Sequence, residues 1–136
     1  MKYLLDASFV AKALLSEDEV VEDRLKGLLN DAQTGKIELI STKLLLLEVA
    51  NTFRFSIKDI VECQSLFKDF LSLPIKTYAL SKNQAHYVLK LSYEIDTTVY
   101  DTSYHVLAKA HNATFLTCDE KYYKKGRILG DIELIK

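Results

Sequence analysis

Four acidic residues of the 136-residue chain occur at positions where a carboxylate could bind a metal ion. Asp6 and Asp119 each follow a short apolar segment, Glu48 interrupts a run of leucines, and Asp101 lies near the start of a helical pattern. Carboxylate oxygens are hard ligands that suit Mg²⁺ or Mn²⁺ rather than Zn²⁺. Such an ion can activate water, neutralise phosphate oxygens and hold a diester for in-line attack, so no serine, cysteine or histidine nucleophile is needed.

Three of these acids also have a structural interpretation. Asp6 and Asp119 can each cap a helix or turn after a strand, and this is the usual role of a single aspartate at such a position. Asp101 and Thr98 together form the pattern of a capping box, in which the carboxylate only stabilises a helix N-terminus. Their occurrence as a set is what favours a common site.

Glu48 is harder to explain by structure alone, because it lies on a predicted helix that is apolar on most faces. An enclosed and unpaired carboxylate is costly, so a buried Glu48 needs a cation, a metal or a raised pKa. The alternative is an exposed stripe in which Glu48, Asn51 and Thr52 face water. In the first case Asn51, three residues on, would hydrogen-bond into the same site.

The elements that must position these acids follow from hydrophobic periodicity. Strands are predicted at 2–5, 37–40, 75–78, 114–117 and, across a pattern broken by glycines, 132–135. Helical segments separate them, which predicts right-handed crossovers and a three-layer α/β/α sandwich around a mainly parallel sheet. Ligands of such sheets bind beyond the carboxyl ends of the strands, so Asp6 and Asp119 would share one edge if their strands are neighbours.

Helix starts are predicted from hydroxyl caps. The predicted caps are Ser16 with Glu19, Ser41, Ser56 with Asp59, Ser81 with Gln84, and Thr98 with Asp101. The helices that they begin are expected to end near residues 35, 55, 71, 94 and 112.

Composition limits the class of protein. The chain is 49% hydrophobic and 27% charged, with four Gly, one Pro and a net charge of -1, which excludes a disordered or collagen-like chain and predicts a single domain over 1–136. The longest apolar run, 44–47, is too short to cross a membrane, and the early Asp6 argues against a secretory signal. A cytoplasmic protein with reduced cysteines is expected. Dinucleotide, P-loop and nucleophile-elbow motifs are absent.

Four segments of the chain together resemble a PIN domain, and most of all the VapC-type toxins of toxin–antitoxin pairs. They are YLLDAS at 3–8, LLEVAN at 46–51, TVYDTSY at 98–104 and FLTCD at 115–119. No single segment is specific, but their order and spacing span nearly the whole chain. The resemblance implies a compact α/β/α fold and a Mg²⁺- or Mn²⁺-dependent endoribonuclease. It assigns catalytic and metal-binding roles to Asp6, Glu48, Asp101 and Asp119, with Ser8, Asn51 and Thr117 as supporting polar groups.

The same resemblance implies partners. VapC-like proteins usually form homodimers and are neutralised by a small VapB-like antitoxin whose tail lies in a groove of the early helices. Here the predicted groove residues are Phe9, Leu14, Leu15, Phe53 and Phe55, although each is also explained as plain core.

Two features depart from the resemblance or extend it. Asp96 stands where a neutral loop residue is more usual, and a solvated loop residue is the favoured explanation. The segment after Asp119 is basic and interleaved with tyrosines, so Lys121, Lys124, Lys125 and Arg127 are predicted either to contact RNA phosphates or to form an ordinary solvated turn.

Three other functions remain open on the sequence. One is a stand-alone PIN-domain nuclease that processes RNA, and another is a PIN-like binding module without catalysis. The third is a receiver-like Mg²⁺-binding signalling module, which needs paired acids after the first strand and an acceptor aspartate after a middle strand. Asp6 stands alone, and Ser41 and Thr42 follow the second predicted strand, so this module is disfavoured.

Overall fold

A computed structural model describes residues 1–136, and its centre is a five-stranded parallel sheet. The strands are β1 (Lys2–Leu5), β2 (Glu38–Thr42), β3 (Ile75–Tyr78), β4 (Thr114–Thr117) and β5 (Ile132–Leu134). Their order across the sheet is β3-β2-β1-β4-β5, with every neighbouring pair parallel. The predicted α/β class and all five predicted strands are confirmed.

Seven helices flank the sheet. They are α1 (Ala7–Leu14), α2 (Glu19–Gln33), α3 (Leu44–Ser56), α4 (Ile60–Leu71), α5 (Lys82–Ile95), α6 (Val99–Ala110) and α7 (Glu120–Gly126). Helices α1 to α4 pack on one another, while α6 packs on α5 and α7 and contacts β1, β2 and β4. None of the helices is long and apolar enough to cross a membrane.

The sheet register brings the two ends of the chain together. Leu5 of β1 lies opposite Leu116 of β4, so the next residues, Asp6 and Thr117, lie side by side at the same edge of the sheet. The strands of Asp6 and Asp119 are therefore neighbours, as their predicted common edge requires. More than a hundred residues of sequence separate these positions, and only the strand order joins them.

The core lies between the sheet and the helices. Its largest fully buried side chains include Phe9, Phe53 and Phe115. Phe9 and Phe53 were predicted to line a groove, and that prediction is wrong because both rings are completely covered. Leu14 and Leu15 are only partly buried, and the Phe55 side chain is 78% exposed.

Two predicted helix caps are wrong. Ser16 has a left-handed backbone with φ of 54°, and Asp18 caps α2 by accepting the Val21 N–H. Ser41 belongs to β2, where its hydroxyl donates to the Leu5 carbonyl at 2.6 Å. Asp18 therefore replaces Ser16 as the cap of α2. The Ser41 hydroxyl is already bonded to a neighbouring strand, so it does not cap a helix.

The other caps mostly follow the sequence. Ser81 and Gln84 form the predicted capping box of α5. Helix α4 begins after Asp59, whose carboxylate accepts the Glu62 N–H, while Ser56 is the last residue of α3. A cap was therefore predicted correctly for this helix, but it is Asp59 rather than Ser56, three residues later.

The basic segment after Asp119 is a helix, α7, rather than a turn, and a 3-10 helix over Arg127–Leu129 continues it. Gly126 allows this helix to close on the core, because a Cβ at that position would lie 2.6 Å from the Tyr122 ring. The backbone of α7 is thus held against a buried tyrosine.

Candidate active site

Asp6 is the most enclosed of the four acids, with 6% of its surface exposed. It caps α1 through a 3.0 Å bond from the Phe9 N–H to Oδ1. The hydroxyl of Ser8 donates to the same oxygen at 2.7 Å, and the hydroxyl of Thr117 donates to Oδ2. Burial outweighs these donors and raises the pKa of Asp6 to about 6.

Ser8 and Thr117 also join the carboxyl ends of β1 and β4. The Ser8 hydroxyl accepts the Cys118 N–H at 3.0 Å, and the Thr117 hydroxyl accepts the Asp119 N–H at 3.0 Å. Both hydroxyls therefore act as donors to Asp6 and as acceptors from the backbone beyond β4. The structure thus brings both hydroxyls to Asp6, and their supporting role stays a prediction.

Asp119 caps α7, since its Oδ1 accepts the Tyr122 N–H at 3.0 Å. Asp101 lies in the first turn of α6, which Thr98 caps by accepting the Asp101 N–H at 3.1 Å. The Asp101 carboxylate does not return a bond to the Thr98 backbone, so the predicted capping box is only half formed. The carboxylate is therefore not committed to the Thr98 backbone, although a hydrogen bond with the Thr98 side chain acts to lower its pKa.

Glu48 is half-buried on α3, and the phenol of Tyr104 donates to its Oε1 at 2.6 Å. Burial raises the pKa of Glu48, and the Asp101 charge raises it further. The two interpretations of this helix are both partly right, because Asn51 and Thr52 are exposed while Glu48 is partly enclosed.

All four acids line one cavity of about 430 Å³ at the carboxyl edge of the sheet. Ser8, Asn51 and Tyr104 line it too, and no lysine, arginine or histidine does. No three acidic, histidine or cysteine side chains are grouped so as to hold a metal ion in their present positions. The acids thus share a cavity without touching as a cluster.

Asp101 is the electrostatic centre of the set. Its charge raises the pKa of both Asp6 and Glu48. The pKa of Asp101 is itself raised, first by burial and then by the Asp119 charge. No basic side chain lines this cavity, so nothing within its lining offsets the mutual repulsion of the acids.

A second cavity of about 400 Å³ adjoins the first and shares Asp101 and Asp119 with it. Lys121 and Lys125 line this flanking cavity, whereas Lys124 and Arg127 line neither. The structure therefore divides the predicted basic cluster in two.

Asp96 ends α5 in a left-handed conformation with φ of 56°. Its side chain is exposed, as the favoured interpretation has it, and also pairs with the Lys125 ammonium at 3.2 Å. Lys121 makes no such ion pair.

Tyr104 is a site residue that the sequence did not single out, because an aromatic residue within a helical pattern is usually explained as core. Its ring is core, but its hydroxyl reaches the cavity. The signal available in the sequence was its place three residues after Asp101, on the same face of α6.

His105 follows Asp101 by one turn of α6 and does not contact the cavity. Its role is structural, and its partners are Tyr122 and the Gly130 carbonyl, each at 2.7 Å. Because the carbonyl can only accept, Nε2 carries the hydrogen and Nδ1 accepts from the Tyr122 hydroxyl.

Comparison with known proteins agrees with this architecture. The family model of the PIN domain matches residues 3–128. No curated protein sequence matches the chain significantly.

Solved structures of similar fold cover nearly the whole chain. VapBC2 from Rickettsia felis, solved with a DNA fragment from its promoter, has a TM-score of 0.74 and 20% identity over 100% of both chains. A toxin–antitoxin complex from Klebsiella pneumoniae has a TM-score of 0.69 and 14% identity, covering 96% of this chain and 95% of that one. PAE2754 from Pyrobaculum aerophilum has a TM-score of 0.59 and 23% identity, covering 92% and 87%. At these identities the likeness concerns the fold, and it is the match of the family model to 3–128 that decides the family. The chain therefore belongs to the PIN domain family, a family of nucleases.

Proposed function

We propose that this protein is a Mg²⁺- or Mn²⁺-dependent endoribonuclease and the toxin of a VapBC-type toxin–antitoxin pair. One observation carries the catalytic part: four carboxylates line a single cavity whose lining includes no basic side chain. Burial and mutual repulsion raise the pKa values of Asp6, Glu48 and Asp101. A divalent cation is the missing charge that such a cavity favours.

The donor set fits such an ion. Asp6, Glu48, Asp101 and Asp119 would hold it, and all four offer oxygen ligands of the hard type that Mg²⁺ and Mn²⁺ take. Mg²⁺ usually keeps several waters and is bound through one or two carboxylates. Carboxylates that share a cavity without touching suit that mode better than a closed cage.

The residues of the chain have separate tasks in the proposed hydrolysis. Asp6 is fixed by three donors, so its remaining lone pairs keep one direction in the cavity. Ser8 and Thr117 hold β1 and β4 at the spacing that Asp6 and Asp119 need. The bound ion would supply an activated water and neutralise charge on the phosphate.

The flanking cavity gives the RNA a path to the site. Lys121 is exposed and lines this cavity together with Asp101 and Asp119, so it would contact a backbone phosphate next to the scissile one. Lys125 would do the same once it leaves Asp96. Lys124 and Arg127, which line neither cavity, would contribute only long-range attraction.

A groove between α1, α3 and α4 supports an antitoxin as partner. It has a volume of about 740 Å³ and combines apolar Leu14, Leu15 and Ile57 with acidic Asp59 and Glu62. Such a lining suits an apolar segment that carries basic residues. The two toxin–antitoxin complexes of the same fold add support.

A homodimer is also proposed. Leu89 and Tyr93 on α5 are exposed one turn apart, next to exposed Val99 of α6, and such a patch favours association. Light scattering on the isolated protein tests it. If the protein is a monomer and binds no small partner encoded beside it, a stand-alone RNA-processing nuclease becomes the better assignment.

The catalytic proposal is tested by incubating the purified protein with single-stranded RNA. Cleavage is expected with Mg²⁺ or Mn²⁺, weaker cleavage with Ca²⁺, and none in EDTA. The Asp101→Asn variant, purified in parallel, controls for a contaminating nuclease. Undiminished cleavage in EDTA contradicts the proposal.

A further inference from the structure

Tyr104 joins the hydrophobic core to the acidic cavity. The residue is 2% exposed, and its ring stacks on Phe115 with centroids 6.2 Å apart and planes inclined by 13°. At the other end of the side chain, the hydroxyl donates to Glu48 Oε1 at 2.6 Å. The position of the phenol is thus set by the core, and the phenol in turn contacts an acid of the cavity.

Glu48 has no other hydrogen bond to its carboxylate. Asp6 accepts three bonds, from the Phe9 N–H and from the hydroxyls of Ser8 and Thr117. Glu48 accepts one, from Tyr104. A glutamate has more rotatable bonds than an aspartate, so it needs fixing more. Tyr104 alone supplies that restraint.

A third residue stands behind the phenol. Thr42, the last residue of β2, is completely buried, and its Oγ1 is the one buried side-chain polar atom in the structure without a hydrogen-bond partner. Its hydroxyl is close enough to Tyr104 to lower the pKa of the phenol, against the rise that burial and Glu48 cause. The phenol oxygen can accept one bond while it donates another. Thr42 is therefore placed to donate to Tyr104 as Tyr104 donates to Glu48.

We propose that Tyr104, supported by Thr42, is a positioning residue that holds one oxygen of Glu48 so that the other stays available to a divalent cation in the cavity. The inference rests on the proposed function. Groups that orient metal-binding carboxylates through hydrogen bonds contribute strongly to metal affinity, although they never touch the ion. Packing alone does not require the hydroxyl, because a phenylalanine would fill the same space against Phe115.

The test is the Tyr104→Phe variant, with Mn²⁺ binding measured by calorimetry in the absence of RNA. We expect an affinity about tenfold weaker than wild type. In cleavage assays the Mn²⁺ concentration for half-maximal rate should rise by a similar factor, while the rate at saturating Mn²⁺ recovers most of its value. That separation marks positioning of a ligand rather than general damage.

Tyr122→Phe is the matched control. Tyr122 is also a buried tyrosine that packs on Phe115, and its hydroxyl makes one hydrogen bond, to His105. Both variants should unfold at lower temperature in EDTA, but only Tyr104→Phe should weaken Mn²⁺ binding. Equal Mn²⁺ affinity in the two variants and wild type overturns the inference and leaves the proposed function standing.

A second variant decides the matter if Tyr104→Phe does not fold. Thr42→Val keeps the shape of the side chain, and the Tyr104 hydroxyl keeps its bond to Glu48, so the fold should survive. It should weaken Mn²⁺ binding in the same direction and by less. Unchanged binding in Thr42→Val then overturns the inference, whereas wild-type protein that binds no Mn²⁺ and cleaves no RNA overturns the proposed function as well.

Discussion

Helix α6 carries two polar residues one turn apart, Asp101 and His105, and their environments differ: one lines the acidic cavity and the other is buried in the core. Asp101 lies at the sheet edge, in a cavity that is lined by three other acids and by no basic side chain. His105 is 0% exposed, and both of its ring nitrogens are hydrogen-bonded, to Tyr122 and to the Gly130 carbonyl. Burial lowers the pKa of His105, so the ring is neutral.

The difference separates a structural polar group from a functional one. His105 is fully satisfied by the protein and has nothing left to offer a ligand. Asp101 is repelled by the Asp119 charge and lacks the bond to the Thr98 backbone that its sequence pattern predicted. A residue type that is typical of catalysis is structural here, and one typical of helix caps is a candidate ligand.

Replacing Asp101 by Asn should give the largest effect. Because Asp101 is a proposed metal ligand, its replacement should lower the rate of RNA cleavage by orders of magnitude at saturating Mg²⁺. The melting temperature in EDTA should stay the same or rise, because repulsion from Asp119 is relieved. Cleavage rates and thermal unfolding of the same preparation measure both. Near-normal cleavage would falsify the four-acid site and leave Asp101 as a helix-start residue.

Replacing His105 by Leu should do the reverse. The change leaves the buried Tyr122 hydroxyl without its partner, whereas the carbonyl of exposed Gly130 can bond water, so we expect a cost of about 2 kcal/mol in the free energy of unfolding. Denaturant unfolding in EDTA measures this. Cleavage by the folded variant should fall far less than in Asp101→Asn. A loss of activity as large as that of Asp101→Asn, with stability unchanged, reverses the contrast between the two groups.

The two regions should also respond oppositely to pH. In EDTA, the pKa of Asp6 is raised from 3.8 to about 6 on folding, so the folded state binds its proton more tightly. That contribution to stability is present below about pH 4 and is lost as pH rises through about 6, amounting to about 3 kcal/mol. Added Mg²⁺ should restore stability above pH 6.

His105 acts in the other direction. Its pKa is lowered by folding, so the unfolded chain binds the proton more readily and stability falls as pH drops below about 6.5. Unfolding free energies between pH 4 and 8 should therefore show two opposed components. Asp6→Asn should remove the first and His105→Leu the second. A profile unchanged by Asp6→Asn contradicts the assignment.

The smallest effect concerns the two halves of the basic cluster. Lys121→Gln should weaken binding of single-stranded RNA and reduce the salt dependence by about one phosphate contact. Lys124→Gln removes the same charge from the same helix but from a residue that lines neither cavity, so its effect should be clearly smaller. Fluorescence anisotropy at several salt concentrations, in EDTA, measures both. If the two variants weaken RNA binding equally, the basic residues of α7 contribute only long-range attraction and Lys121 makes no specific phosphate contact.

Much of the fold could be predicted from local pattern. The five strands and the helices through α6 follow from periodicity, and Ser81 with Gln84 begins α5 as its pattern indicates. The wrong predictions concern helix caps, for which nearby groups compete. Asp18 caps α2 in place of Ser16, and the Ser41 hydroxyl donates to a neighbouring strand instead of capping a helix. Helix α7 was missed because its few apolar positions are interrupted by lysines.

The sequence by itself determined which residues bear charge and that Asp6 and Asp119 each follow a strand. Only the tertiary structure decided that β1 and β4 are neighbours, that Glu48 is partly enclosed, and that a core tyrosine reaches it. Periodicity fixes the face of an element on which a residue lies, but not the element that packs against that face. The contacts between Asp6 and Thr117 and between Glu48 and Tyr104 span 111 and 56 positions in the chain. Strand order and helix packing create such contacts, and no local pattern encodes them.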